Sequence, residues 1–139
     1  MARTTFNGPV VSQNGFITDH SPTAANAINA TATATAAQVA SGYITSTSVG
    51  TVSITLPTGT LLGAALSATQ GTSLDLYIDN TAGASVVTVV VAVNGILSSA
   101  AADTPGSFGD LTIAAGVTGL ARFTIMFSSA TAYVFTRTA

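Results

Sequence analysis

The chain contains no lysine, no glutamate and no cysteine, and its one histidine is His20. Each absence closes a class of function. Charged residues make up 6% of the 139 positions, against roughly 25% in an ordinary soluble protein, so solubility rests on Thr, Ser and Asn. The net charge of −2 comes from Asp19, Asp75, Asp79, Asp103 and Asp110 against Arg3, Arg122 and Arg137. Binding a duplex draws most of its free energy from Lys and Arg neutralising phosphates, and three scattered arginines form no basic stripe. Nucleic acid is therefore not an expected partner. Without cysteine there is neither a disulfide framework nor a thiolate metal site, which leaves stability to apolar packing or oligomerisation.

A long apolar leader is missing too. The opening residues Met1-Ala-Arg-Thr-Thr-Phe6 lack the apolar run of a secretory signal, so export by that route is not expected. The uncharged stretch 82–102 includes Val86-Val-Thr-Val-Val-Val-Ala-Val93. It is dominated by β-branched residues, broken by Asn94-Gly95 and without the flanking Lys/Arg that orients a spanning helix. It reads as a hairpin strand, and a membrane is not an expected partner.

Catalytic groups are equally scarce. His20 follows Asp19, but neighbours in extended chain point to opposite sides, and no G-x-S-x-G turn presents a nucleophile. A solvated loop histidine is the expectation. Asp75 and Asp79 share a strand face but lie about 13 Å apart, beyond the spacing of paired glycosidase carboxylates. A calcium site would have to gather Asp75, Asp79, Asn80, Asp103 or Asp110 from several loops. No D-x-D-x-D-G run supports it, so turn capping by Asp and Asn is expected instead. Asn29-Ala-Thr31 matches a glycosylation sequon, a triplet common by chance, and is assigned no role. No enzyme activity, cofactor or metal is expected.

What the chain does contain falls into three textures. Residues 1 to about 22 hold the turn signals Asn7-Gly8-Pro9 and Asn14-Gly15. Their apolar residues, Phe6, Val10, Val11, Phe16 and Ile17, are too few for a core. They need a partner surface, or they fold back onto the chain's own domain. Residues 23–41, with Ala30-Thr-Ala-Thr-Ala-Thr-Ala-Ala37, read as a linker or a surface-hugging segment, because small side chains bury little. Propensity leaves strand and short helix both open there. Residues 1–41 are thus expected to form an extended arm and linker, and residues 42–139 a β domain.

From Gly42 onward, Val52, Ile54 and Leu56 alternate with polar residues, as do Leu74, Leu76 and Ile78. Leu61 to Leu66 fits a single helical turn, and Gly59-Thr-Leu-Leu-Gly63 has the spacing of a small-xxx-small contact. Leu120–Phe127 and Thr131–Thr136 flank Ser128-Ser-Ala130 as a hairpin that places Phe123, Ile125 and Phe127 on one face. Seven or eight short strands so spaced imply an all-β fold, a β-sandwich or jelly roll. The stretch from Val86 to Val93 is apolar on both faces, so something covers its outer side: the arm or a loop, or another subunit.

Four stretches resemble, in order, a β module of phage head-fibre and capsid decoration proteins: Leu56-Pro57 with its small-residue loop to Leu66, Gly71-Thr-Ser-Leu-Asp-Leu-Tyr-Ile-Asp-Asn80, Ile113-Ala-Ala-Gly116 to Ala121-Arg-Phe-Thr-Ile125, and Ser128-Ser-Ala-Thr-Ala-Tyr133. Phe6-Asn-Gly-Pro-Val10 and Asn14-Gly-Phe16 resemble the opening of small decoration proteins. The resemblance covers about two-thirds of the chain in strand and turn residues; the Ala/Thr tract has no counterpart in it. It implies a cement protein made in the host cytoplasm and held on the virion's capsid exterior. Its partners would be the major capsid protein and two further copies in a homotrimer. On that reading Arg3, Phe6, Pro9, Val10 and Phe16 are candidate capsid contacts, and Val87, Val89, Val91 and Val93 candidate trimer contacts. The alternative is a fibre or tail-tip module that stacks Tyr43, Tyr77 and Tyr133 on host glycans.

Overall fold

The computed structural model describes residues 26–92, 94–97 and 110–139. Among these residues nine strands and two α-helices follow one another as β1 (Ala32–Thr33), α1 (Ala36–Ala40), β2 (Tyr43–Thr45), β3 (Val52–Thr55), α2 (Gly59–Leu66), β4 (Ser73–Asp79), β5 (Val87–Val90), β6 (Gly95–Leu97), β7 (Thr112–Ile113), β8 (Leu120–Ser129) and β9 (Ala132–Arg137). They form a four-stranded sheet in the order β1-β3-β5-β7 and a five-stranded sheet in the order β2-β4-β8-β9-β6. The protein is mostly β, as the alternating patterns predicted.

Up to β8 the chain changes sheet at every strand. After one strand in the other sheet, β3 returns parallel to β1, β5 parallel to β3, and β4 parallel to β2. Antiparallel pairs join β4 to β8, β8 to β9 and β5 to β7. This winding departs from the antiparallel Greek keys of a jelly roll. It also corrects the hairpin expected around Asn94-Gly95. Asn94 adopts a left-handed conformation (φ 61), and the chain passes into the other sheet, where β6 runs parallel to β9.

Period-two patterning decides which side chains turn inward. Val52 and Ile54, Leu76 and Ile78, Val87 and Val89, Phe123, Ile125 and Phe127, and Tyr133 and Phe135 are buried in one cluster fed by both sheets. Phe123 and Phe135 stack diagonally across β8 and β9 with ring centroids 4.8 Å apart. Phe127 and Tyr133 meet at 5.7 Å, and the Tyr133 hydroxyl donates to the Pro57 carbonyl at 2.9 Å. Such pairs add to area burial because ring edges and faces carry opposite partial charge.

Of the linker or surface-hugging segment expected over residues 23–41, the part from Asn26 onward runs along the domain. Ile28, Ala34 and Val39 belong to the core cluster, and the Ala/Thr tract forms both of the alternatives in succession. Ala32-Thr33 pairs with β3. Thr35 then caps α1 in a capping box: its hydroxyl accepts from the Gln38 N–H at 3.1 Å, and Gln38 Oε1 accepts from the Thr35 N–H at 2.8 Å. Ser41 closes the helix, and Gly42 at φ 77 turns the chain into β2. Small side chains bury little individually, but edge pairing and a capped turn give the backbone its hydrogen bonds.

Helix α2 is longer than the single turn expected. Thr58 caps it after Pro57, and Ser67 ends it in the left-handed region at φ 49. Its Gly59 and Gly63 face the β8–β9 turn so closely that a Cβ would lie 2.2 Å from the Thr131 carbonyl oxygen and 2.0 Å from that of Ala130. The small-xxx-small spacing therefore marks a helix laid on a hairpin.

Candidate interaction faces

The capsid-contact candidates Arg3, Phe6, Pro9, Val10 and Phe16 lie outside the described residues, as do Asp19, His20, Val93 and Asp103. Of the valines assigned to a trimer interface, Val87 and Val89 are 0% and 1% exposed inside the protomer, where no second copy can reach their side chains. Val91 is half-buried. This corrects the choice of face. The valines turned outward are Val90 on β5 and Val86 just before it, each 39% exposed.

Those two sit on the outer face of the four-stranded sheet, where strand register sets side chains in rows. Thr33, Thr55 and Val90 align across β1, β3 and β5; Ser53, Thr88 and Thr112 align across β3, β5 and β7. Rows lie about 6.7 Å apart along a strand and neighbours about 4.8 Å apart across it. None of the residues in these four strands is charged. The face offers hydroxyls and methyls only.

Charge gathers instead on the outer face of the five-stranded sheet. Tyr43 and Tyr77 are register neighbours on β2 and β4, and Tyr77 is paired with Arg122 on β8. The Tyr43 hydroxyl donates to Asp79 Oδ2 at 2.5 Å, while the Thr81 N–H and hydroxyl donate to Asp79 Oδ1 at 2.9 and 2.6 Å. Burial opposes ionisation of Asp79, but these donors outweigh it and hold the carboxyl below the ordinary carboxylate range. The same hydrogen bond, with lesser help from burial and the Asp79 charge, pushes Tyr43 up to about 12. Thr124 donates to Asp75 at 2.7 Å. Tyr133 is fully buried, which removes it from the three tyrosines considered for glycan stacking; burial pushes its hydroxyl up to about 12.

The acids act as turn caps and ties. Asp110 Oδ1 accepts from the Thr112 N–H at 2.9 Å and hydroxyl at 2.5 Å. Arg137 on β9 reaches Asp110 Oδ2 at 3.3 Å and the Thr112 carbonyl at 2.9 Å, joining one sheet to the other. Among the described residues no group of three or more His, Cys, Asp or Glu side chains is placed to hold a metal.

An apolar groove of about 680 Å³ opens where β1, β3 and β5 end and the two helices begin. Ala34, Ala36, Leu56, Pro57, Leu61 and Val91 line it with threonines, and among the described residues none that lines it is charged. Leu61 is 60% exposed on its wall. A second hollow of about 280 Å³, lined by Ala27, Ile28 and Gln38, shares Thr33 with it. The sequence held a signal for the groove in two helix starts, Thr35-x-x-Gln38 and Pro57-Thr58, that open beside one another.

No protein-family model, curated protein or solved structure matches this chain.

Proposed function

We propose that this chain is a structural virion protein, not an enzyme, whose two sheets stack as a β-sandwich and which attaches as a homotrimer to the outer surface of a phage capsid. The observation that carries this reading is the charge-free outer face of the four-stranded sheet. Interface cores are depleted of charge because burying an ion costs its hydration. Three identical copies about a threefold axis, with Val86, Thr88 and Val90 turned toward it, would also meet no like-charge repulsion. The resemblance of the sequence to decoration proteins supports the same reading. Each trimer would offer three N-terminal segments, with Arg3, Phe6, Pro9, Val10 and Phe16 as capsid contacts. Once one segment docks, the others bind at high effective concentration.

Quantitative mass spectrometry of purified virions tests this through the copy number relative to the major capsid protein. Hundreds of copies per particle are expected on the order of a capsid's subunit number, because avidity of this kind serves a repeating lattice. A dozen or fewer would overturn the decoration role in favour of a fibre or tail.

The Tyr43–Tyr77 pair, flanked by Asp75, Asp79 and Arg122, favours a second reading: a fibre module whose rings stack on host glycans. A glycan-array signal lost in Tyr77→Ala would support it.

A further inference from the structure

The pair Asn94-Gly95 is imposed by the fold at both of its positions. Asn94 sits at φ 61, a region that Asn enters more readily than most residues. A Cβ on Gly95 would lie 2.6 Å from the Tyr133 hydroxyl oxygen and 2.8 Å from Val91 Cγ1, so no larger residue fits. We propose that this pair is a site of spontaneous deamidation, opened by release of β6 from β9 and altering β6 permanently.

The chemistry uses only these two residues and water. After losing its amide proton to solvent, the Gly95 nitrogen attacks Asn94 Cγ. The N–Cγ bond forms, the Cγ–Nδ2 bond breaks, and Nδ2 leaves as ammonia with a proton supplied by solvent in place of the one Gly95 lost. Water then opens the cyclic imide at either carbonyl. Opening at Cγ leaves aspartate; opening at the backbone carbon leaves isoaspartate, in which the chain runs through Cβ and Cγ. Asn94 is exposed, so water and base reach it, and glycine carries no side chain to hinder its nitrogen.

The folded turn restrains the reaction. The Gly95 N–H donates to the Ala92 carbonyl at 3.0 Å, and the Asn94 carbonyl accepts from the Tyr133 N–H at 3.0 Å. The attacking nitrogen is thus engaged through its proton, and its peptide group is pinned at both ends. Little needs to open. β6 is three residues long and ends the five-stranded sheet, and such edge segments open at lower free energy than the core. Isoaspartate lengthens the backbone by a methylene just before Gly95. The register of Gly95, Ile96 and Leu97 against Tyr133, Val134 and Phe135 is then lost while the turn to Ala92 stays closed, so β6 does not dock again. No partner is involved, and the inference stands apart from the capsid and glycan readings.

The test incubates the purified full chain at neutral pH in rising urea and follows the Asn94 peptide by mass spectrometry, resolved from those holding Asn7-Gly8 and Asn14-Gly15. Synthetic standards separate isoaspartate from aspartate. Asn94 is expected to deamidate in the native protein roughly tenfold or more slowly than in the unfolded chain, at a rate flat across sub-denaturing urea because local opening exposes little surface. Hydrogen exchange at the Gly95–Leu97 amides is expected to quicken severalfold in the isoaspartate form. It should stay unchanged in Asn94→Asp, which carries the same charge on an unlengthened backbone. A native rate equal to the unfolded one overturns the proposal, as does a rate that climbs with urea in step with global unfolding. So does a native chain in which Asn94 stays intact, or an isoaspartate form whose β6 amides exchange no faster.

Discussion

Buried Asn80 joins four segments through its side-chain amide and its backbone N–H. Its Nδ2 donates to the carbonyls of Ser85 at 2.8 Å, Ala114 at 3.0 Å and Ile113 at 3.3 Å, while its own N–H donates to Gly119 at 2.7 Å. The end of β4 is thereby tied to the starts of β5 and β8 and to the end of β7. Gly83 and Gly119 leave room for it: a Cβ on Gly83 would lie 2.0 Å from Asn80 Oδ1. Asp and Asn turn capping was legible in the sequence, but a central amide was not, because the carbonyls it serves are up to 34 positions away. The Tyr43–Asp79 pair sets a pH dependence. Asp79 is held below its ordinary value, so its contribution to stability is present above about pH 4 and is lost as pH falls through the lowered value. Tyr43→Phe removes one donor, and the acid midpoint of unfolding is expected to move to higher pH. Tyr43, raised from 10.0 to about 12, contributes below pH 10 and loses that contribution as pH rises to about 12. This alkaline loss should shrink in the same variant. Denaturant unfolding at a series of pH values measures both, and both shifts should be small because the pair is only partly buried.

Helix α2 shows where element-scale reasoning turns on tertiary contact. Gly→Ala inside a helix ordinarily gains roughly 1 kcal/mol. At Gly63 the sign is expected to reverse, with a loss of about 1–3 kcal/mol, because the new methyl would meet the Ala130 carbonyl oxygen at 2.0 Å. Thermal unfolding of Gly63→Ala decides it, and a raised midpoint would mean the helix can lift from the hairpin at no cost. The strands were the most legible elements. Alternation at Val52–Leu56 and Leu74–Ile78 and the hairpin carrying Phe123 and Phe127 all fold as the pattern implied. The Ala/Thr tract resisted such reading because hydrophobic periodicity vanishes when every side chain is small. Only its Thr-x-x-Gln capping box marked the helix.

At the scale of the whole molecule, each face of β5 has a different task. Val89→Asp would place a charge in the core and is expected to unfold a domain whose total stability is on the order of 5–15 kcal/mol. Val90→Asp on the outward face is expected to leave circular dichroism and the melting midpoint nearly unchanged, yet to dissociate the proposed trimer. Sedimentation of the two variants separates these outcomes, and a Val90→Asp trimer would move the interface off the four-stranded sheet. Pairing between strands was the least legible level, since parallel neighbours two strands apart leave no local turn signature.

The alternation of strands between sheets also orders events during synthesis. β8 lies between β4 and β9, and β9 between β8 and β6, so the five-stranded sheet cannot close until residues 120–137 have left the ribosome. The largest fully buried side chains, Tyr133, Phe123, Phe127 and Phe135, all belong to that stretch. A nascent chain must therefore hold its earlier parallel strands before the aromatic residues of β8 and β9 complete the core, with open edges available to neighbouring chains. Its near-neutral, lysine-free composition offers little charge repulsion against such encounters. Slow translation through the final hairpin would lengthen that exposure, and a chain stopped short of β8 would be a seed for aggregation, not a smaller folded domain.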